Sequence, residues 1–424
     1  MNRRLFLVTF LLTGLNASAG ELKTVTLQDC YNKALKQSAT LAIQEETIRI
    51  AEAHYLQALG TALPKINAKG TEFVQAAGSD SGALNTFTRR TRPEVAITLR
   101  QPLFQGLREF KALAVSGSEK KMNRLTVERA RQLLFLDVAV AYTTLLNLEE
   151  DGKILQNMLS TLQSRNQEID RRIRLGKSRE SEKLASESQS LVLESELEKN
   201  RGQIKTAYEM LSFLTGERLM PEGQRLSDSP TPPVSLPSEE EALLSLHSRP
   251  DLAATEEGLK LARGKLSVER GAFLPTLDAQ ANYYPYRVGL YSDINWDLLF
   301  TLNFPIFDGT TWGRVKEAKA GFKQAELDKQ DKFRRAEMEV RNSLNNWQTS
   351  RSHESALKKA AAKAEANYKA QAQDYQLGLV NNLEVLQSMK EWLERQREEA
   401  QARYQAKLDY LQFKITTGSL EAQQ

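Results

Sequence analysis

Residue types that commonly carry catalysis or bind metals are few and scattered in this 424-residue sequence. His54, His247 and His353 lie far apart and show neither HxxxH nor HxH spacing. Cys30 is the only cysteine, so the chain has no soft metal site and no internal disulfide. Acidic pairs such as 149–150 lie in charged helical stretches, where solvated faces are the usual role. No nucleophile elbow, P-loop or dinucleotide fingerprint is present, and the sequence therefore predicts no enzyme and no cofactor.

The first residues read as an export signal. A basic Arg3-Arg4 pair precedes about eleven apolar residues, and Ala17-Ser18-Ala19 is a cleavage site, which predicts a signal peptide at 1–19. The alternative is a buried N-terminal helix. Removing the signal lowers the formal charge from +4 to +2, and this near-neutral balance argues against a nucleic-acid partner. Because Cys30 is not next to the apolar stretch, we expect no lipid anchor.

The chain contains an internal duplication. PLFQG at 102–106 matches PIFDG at 305–309, LG at 175–176 matches LG at 377–378, and TG at 215–216 matches TG at 417–418. These matches predict a first repeat at 20–220, a linker at 221–243 and a second repeat at 244–424. The first repeat carries about eight extra residues, which we place in the loop 78–90.

Each repeat has a long segment without proline. These segments are rich in Ala, Leu, Glu, Lys and Arg, and apolar residues from Leu134 to Leu162 follow a heptad spacing. Glycine breaks them once each, in RLGKS at 174–178 and in LGLVNN at 377–382. The sequence therefore predicts helical hairpins at 107–216 and 310–418, each following a helix and two strands. The longer arms would extend for roughly 100 Å.

Strands are predicted between the prolines, within 65–104 and 275–307. Apolar and polar residues alternate there, as in strands with one face in lipid and the other on water. The predicted lipid-facing residues are Val95, Ile97, Leu99, Trp296, Leu298, Phe300, Leu302 and Phe304. The alternative is the core of a soluble β-sandwich. Four strands cannot close a membrane barrel, so a barrel would need strands from two or three chains.

The duplicated order of helix, strand pair, long helix, glycine break and returning helix resembles the TolC-like outer membrane efflux proteins. RPDL at 249–252, FLP at 273–275, FPIFDG at 304–309 and YQLGLVNNLEVL at 375–386 carry the resemblance. It implies a mainly α fold with a membrane β-barrel: a homotrimer with a twelve-stranded β-barrel in the outer membrane of a Gram-negative type cell. A twelve-helix α-barrel would hang into the periplasm, with the linker in an equatorial belt.

The function implied by the resemblance is a passive exit duct for efflux or type I secretion. Its implied partners are a periplasmic adaptor, also called a membrane fusion protein, and an inner-membrane pump. The competing hypothesis is a periplasmic coiled-coil scaffold or adaptor with a soluble β-domain. The residues do not specify the cargo.

The resemblance also implies roles for residues near the two glycine breaks. The adaptor-docking tips would be Leu175, Gly176, Lys177, Leu377, Gly378 and Leu379, and the periplasmic gate would use Tyr375, Glu384 and Glu182. A symmetric ring of carboxylates at the gate would favour cations. Val380 and Gln387 depart from the family pattern of the gate lock.

The first tip is strongly basic. It carries Arg171, Arg172, Arg174, Lys177 and Arg179. Two interpretations remain open: these cations pair with acidic residues of an adaptor, or they are the solvated end of a helix whose dipole favours positive charge.

Overall fold

A computed structural model describes residues 23–76, 90–220, 224–228, 233, 235–288 and 292–419. The predicted signal peptide, most of the loop 78–90 and parts of the linker lie outside the described residues. The first repeat comprises β1 Lys23–Val25, α1 Leu27–Gln37, α2 Ala39–Ala62, β2 Lys65–Val74, β3 Thr91–Gln105, α3 Arg108–Arg174 and α4 Glu180–Thr215. The linker and the second repeat comprise β4 Gln224–Leu226, α5 Glu239–Leu244, a 3-10 turn Ser245–Ser248, α6 Pro250–Gly271, β5 Thr276–Arg287, β6 Trp296–Asn303, α7 Gly309–Leu377 and α8 Asn382–Thr416.

The helix predicted before the first strand pair is divided into two. Ser38 adopts an extended backbone between α1 and α2, and its hydroxyl accepts a hydrogen bond from the Leu41 amide at 3.2 Å. Ser38 therefore ends the first helix and caps the second. The flanking residues favour helix, so the sequence did not indicate this division.

The four longer strands form one antiparallel sheet in the order β2–β3–β5–β6. Each repeat contributes one hairpin, and the β3–β5 pairing joins the two repeats. Pro102 lies in a central strand, where a missing amide would break the ladder, and the structure places it at a shift in register between Pro102 and Phe104. The short strands β1 and β4, which the sequence patterns did not indicate, pair in parallel.

Four helices lie side by side at each level along the length of the molecule. α3 and α7 have 67 and 69 residues, about 100 Å each, whereas the returning helices α4 and α8 have 36 and 35. In the lower half, which ends at the hairpin tips, the order of the helices is α4–α3–α8–α7. In the upper half, which leads to the sheet, α2 and α6 replace α4 and α8, and the order is α2–α3–α6–α7. The predicted fold class, with long helical hairpins joined to a sheet in a duplicated chain, is observed.

The heptad face predicted for α3 is its packed face, and α7 is buried at several of the matching positions. Val138, Leu145 and Leu155 are fully buried in α3, as are Val340 and Trp347 in α7. A lower cluster packs α3 against both returning helices, with Leu155, Leu162, Leu193, Met389 and Leu393 among its members.

Near the midpoint of the long helices, two buried clusters hold the ends of shorter helices from both repeats, and we call this region the junction. The buried hydroxyl of Tyr142 lies 2.8 Å from the carbonyl oxygens of Val25 and Ser227, which ties β1 and β4 to α3. On the other side, the buried guanidinium of Arg249 bonds both carboxylate oxygens of Asp251, at 3.0 and 2.7 Å, and Glu339 at 2.9 Å. The junction thus combines apolar burial with hydrogen bonds and ion pairs between segments that are far apart in sequence.

The repeated TG pair is explained by this junction. Gly216 and Gly418 end α4 and α8 with positive φ angles of 68° and 70°. A Cβ on Gly216 would lie 2.2 Å from Cγ of Gln37, and one on Gly418 would lie 3.1 Å from the backbone nitrogen of Arg249. Glycine is required because the backbone is left-handed and because another helix packs against it, with its end at Gly216 and with its start at Gly418.

We expect Gly418→Ala and Gly117→Ala to change stability in opposite directions. The first places a Cβ in a left-handed, close-packed backbone and should lower the free energy of unfolding by about 1–2 kcal/mol. The second lies in a helix with open space around it and should raise stability by about 0.4–1 kcal/mol. Thermal unfolding of the purified protein measures both. Equal shifts of the melting temperature would contradict the proposed role of Gly418.

Candidate functional site at the hairpin tips and on the sheet

The two hairpin tips share one backbone geometry. Gly176 and Gly378 have φ angles of 69° and 77°. The Lys177 amide bonds the Arg172 carbonyl at 2.8 Å, and the Leu379 amide bonds the Asp374 carbonyl at 2.9 Å. This is the glycine-dependent helix stop predicted at both breaks.

The turns leave apolar side chains exposed at the end of the helices. The leucines among the predicted docking residues, Leu175, Leu377 and Leu379, are 64–73% exposed, and Lys177 is exposed beside them. Exposed leucines with a cation beside them form a surface that another protein could cover.

Tyr375 lies between the hairpins rather than at the exposed tip. The residue is only 4% exposed, and its ring lies 4.5 Å from the guanidinium carbon of Arg165 and 4.4 Å from that of Arg172. Its hydroxyl donates a hydrogen bond to Oε2 of Glu182 at 3.2 Å. Two cations on one ring, with a carboxylate at its hydroxyl, hold the end of α7 against the first hairpin.

Arg172 binds the backbone of the opposite tip. Its Nη1 and Nη2 donate to the carbonyl oxygens of Tyr375 and Gln376, both at 3.0 Å. These carbonyls belong to the last turn of α7, where the helix dipole favours a cation. Of the five basic residues of the first tip, Arg172 therefore points inward, while Arg171, Arg174, Lys177 and Arg179 are exposed.

Arg165 and Asn382 complete the contact. Nε of Arg165 donates to Oδ1 of Asn382 at 2.9 Å, and Nδ2 of Asn382 donates to the Glu182 carbonyl at 3.2 Å. Burial lowers the pKa of Arg165, but a guanidinium stays protonated at any physiological pH. Its Nη2 has no hydrogen-bond partner within the described part of the chain. We call Tyr375, Arg165, Arg172, Glu182 and Asn382 the tip cluster.

The structure brings together only two of the three predicted gate residues. Glu182 accepts hydrogen bonds from Tyr375 and, at 2.8 Å, from the Ser178 hydroxyl. Glu384 is exposed and interacts with its own helix cap: Asn381 accepts from its amide at 3.1 Å and donates to its carboxylate at 2.9 Å. Sequence reasoning missed Arg165 and Asn382. The one available signal was a lone arginine among the apolar heptads.

The strand register places the predicted apolar residues on one face of the sheet. Across the ladders Ile97 pairs with Tyr283, which pairs with Trp296, and Leu99 pairs with Ala281, which pairs with Leu298. Directly paired residues point to the same side. All eight predicted side chains are 39–69% exposed, and Phe304 follows the end of β6.

The opposite face is polar and hydrogen-bonded across strands. The Thr98 hydroxyl donates to Oδ1 of Asn282 at 2.9 Å, and Nδ2 of Asn282 donates to Asp297 at 2.6 Å. The Tyr284 hydroxyl reaches the same carboxylate at 2.9 Å. One face is thus suited to an apolar medium and the other to water.

Other chemistry finds little support in the described ranges. No group of three or more His, Cys, Asp or Glu residues in them could hold a metal ion. Cys30 is fully buried, and burial raises the pKa of its thiol to about 11.

No described helix is both long and apolar enough to cross a membrane.

Comparison with known proteins gives a consistent result. The chain is 25% identical over 380 residues to the cation efflux system protein CusC of Escherichia coli K12, covering 86% of this chain and 79% of CusC. It is 24% identical over 353 residues to the outer membrane protein TolC of the same strain, covering 77% and 70%. The crystal structure of the Campylobacter jejuni CmeC outer membrane channel superposes with a TM-score of 0.79 at 18% identity, covering 94% of this chain and 87% of CmeC.

A sequence model of the outer membrane efflux proteins matches residues 30–217 and 243–419. The two matched segments coincide with the two repeats and leave out most of the linker between them. Together they span most of the chain. The chain therefore belongs to the outer membrane efflux protein family.

Proposed function

We propose that three copies of this chain form a passive exit duct for a tripartite efflux pump or a type I secretion system. As a member of its family the chain is an outer membrane efflux channel with its helices in the periplasm. The number of copies, the partners and the roles of single residues are our inference. One observation carries it: a sheet with an exposed apolar face and a hydrogen-bonded polar face leads directly into about 100 Å of helix.

The sheet supports assembly from several chains. β2 and β6 are its two edge strands, and each has a neighbour on one side only. In lipid the free amides and carbonyls of an edge strand must find partners. If β6 of one copy pairs with β2 of the next, three copies give the twelve strands of a β-barrel. A homotrimer therefore satisfies both edges, with the apolar face on lipid and the polar face on the water-filled pore.

The helical edges support the same arrangement. α4 and α7 are the outermost helices below the midpoint, and α4 exposes Leu184, Leu191 and Phe213. Packing these helices against a neighbouring copy would cover the leucines and phenylalanine and close a twelve-helix tube. A periplasmic scaffold with a soluble β-domain would instead have to bury the apolar face of the sheet.

The hairpin tips suit a periplasmic adaptor that links the duct to an inner-membrane pump. Leu175, Leu377 and Leu379 offer apolar contacts, and Lys177 with three exposed arginines offers charge. We assign adaptor docking to this surface. We assign the choice of cargo, cation, drug or polypeptide, to the pump, and no catalysis to the duct.

The tip cluster supports a closed periplasmic gate. It joins the end of α7 to α3 through Tyr375 and Arg172, and the exposed Glu384 lies at the start of α8. Separation of α7 from α3 would widen the entrance, and a ring of Glu384 carboxylates would attract cations.

Arginine substitutions test the assignment of the two sheet faces. Phe300→Arg or Leu302→Arg should each make membrane insertion less favourable by about 2–4 kcal/mol and reduce the trimer recovered from outer membranes. Leu299→Arg is the matched control, because Leu299 pairs with Gln280 and projects from the polar face. Native mass spectrometry of the extracted protein counts the copies. Normal insertion of the Phe300 variant, or equal losses at Leu299, would refute the lipid-facing assignment.

Removal of the Arg172 guanidinium tests the gate. Arg172→Ala removes two hydrogen bonds and one cation–π contact from the tip cluster, so single-channel conductance in planar bilayers should rise. Arg174→Ala removes an exposed charge two residues away and should leave conductance near that of the unmodified protein. Similar conductance of the two variants would argue against a gate at this position.

Photo-crosslinking tests adaptor docking. A photoreactive residue at Lys177 or Leu379 should capture a periplasmic protein that in turn copurifies an inner-membrane pump. The same residue at Leu327, exposed in the upper half of α7, is the control and should not. Capture of the same adaptor at all three positions would place docking elsewhere.

A further inference from the structure

Two grooves identify the inner side of the four-helix arc. A groove of about 480 Å³ is lined by residues of all four upper helices, among them Gln44 of α2, Met122 of α3, Thr255 of α6 and Asp328 of α7. Four helices that lie side by side can line one groove together only where their row is curved, and the groove then lies on the concave side. A second groove of about 650 Å³ extends it toward the sheet along α3, α6 and α7.

The convex side of α7 carries a different set of residues. The groove nearer the sheet is lined on α7 by Arg314, Ala318 and Gly321. At about 100° per residue, Trp312, Lys316, Lys319 and Lys323 fall on the opposite face of the helix. All four are exposed, and Trp312 packs edge-to-face on Phe273 at 5.5 Å. We call Trp312, Lys316 and Lys319 the outer stripe.

The outer stripe continues the apolar face of the sheet. β6 ends at Asn303 and α7 begins at Gly309, and the connection exposes Phe304, Ile306 and Phe307. Trp312 lies in the first turn of α7. With a rise of 1.5 Å per residue, Lys316 lies about 6 Å and Lys319 about 10 Å further from the sheet. In a membrane leaflet, tryptophan side chains lie at the interface, and the lipid phosphates lie further from the hydrocarbon region. Trp312 followed by the two lysines matches this order.

The lysines have no acidic neighbour on their own helix face. Glu317 lines the inner groove, and Glu326 forms an ion pair with Lys323 at 2.6 Å, one turn beyond the stripe. The first repeat provides an internal comparison. Phe110, exposed like Trp312, occupies the matching position, but Ala114 and Gly117 stand where the second repeat has Lys316 and Lys319. At these two positions the charge belongs to α7 alone.

We propose that the outer stripe binds the phosphate headgroup of an anionic phospholipid in the periplasmic leaflet of the outer membrane. Trp312 lies at the interface, and the two ammonium groups extend to the phosphate while their aliphatic stems cover apolar surface. The proposal rests on the proposed function, because that function sets the membrane plane at the end of the sheet. A trimer would carry three such sites.

The test compares lipids on the full-length mature protein in detergent. Phosphatidylglycerol should raise the Tm more than phosphatidylcholine does, and the difference should shrink as salt is added. Native mass spectrometry should show retained phosphatidylglycerol. The double variant Lys316→Gln/Lys319→Gln should bind this lipid about thirtyfold more weakly and lose the Tm difference.

Two further variants make the result specific. Lys358→Gln/Lys359→Gln removes the same charge from exposed positions about 60 Å further along α7, and should keep the lipid preference. Lys316→Arg/Lys319→Arg keeps the charge and should keep it as well. An equal loss in the distant variant would show an effect of net charge only and overturn the proposal.

The remaining outcomes separate this proposal from the proposed function. No preference for phosphatidylglycerol in a protein that inserts as a trimer would overturn the headgroup site alone. Dissociation of the Lys316→Gln/Lys319→Gln trimer in both lipids would assign the stripe to a contact between copies instead. Failure of the unmodified protein to insert would overturn the proposed function itself.

Discussion

The structure depends on one constraint: two helices of about 100 Å must have their apolar faces covered along their whole length. Each returning helix covers only half of its partner, so a second set of helices must begin where the first ends. The midpoint junction performs this exchange. Its buried residues, such as Tyr142 and Trp347, lie where the helix ends meet, and the glycines of the TG pairs allow the ends to approach.

The duplication repeats this solution with different chemistry. In the first repeat the junction is held by the Tyr142 hydroxyl and the small β1–β4 ladder. In the second it is held by the ion pairs of Arg249 with Asp251 and Glu339. Only the Arg249 side chain is buried, at 3% exposure, so the loss of Asp251 or Glu339 would remove a carboxylate from a buried cation. Similar backbones are therefore stabilised by contacts that are not interchangeable.

The two ends of the molecule differ from the midpoint in the kind of contact they use. At the midpoint the helices share buried apolar clusters, which cannot be opened without exposing that surface to water. At the tips the hairpins meet through a tyrosine, two arginines, a carboxylate and backbone carbonyls. Water can replace such polar contacts at small net free energy. In the proposed function, the entrance can therefore open while the tube stays intact.

The sequence by itself determined the duplication, the long hairpins with their glycine breaks, the heptad faces and the alternating strands, because each is a periodic or local signal. It did not determine the division at Ser38, the β1–β4 ladder or the partners of Tyr375, because these depend on contacts between segments far apart in sequence. Arg172 shows the difference: its neighbours made it one of five basic tip residues, and only the packing of α3 beside α7 turned it inward onto carbonyl oxygens. Glu384 shows the converse, since tertiary structure left it in its own helix cap while Glu182 met the tyrosine. Periodicity reports the face that a residue occupies, whereas its partner is decided by the helix that packs there.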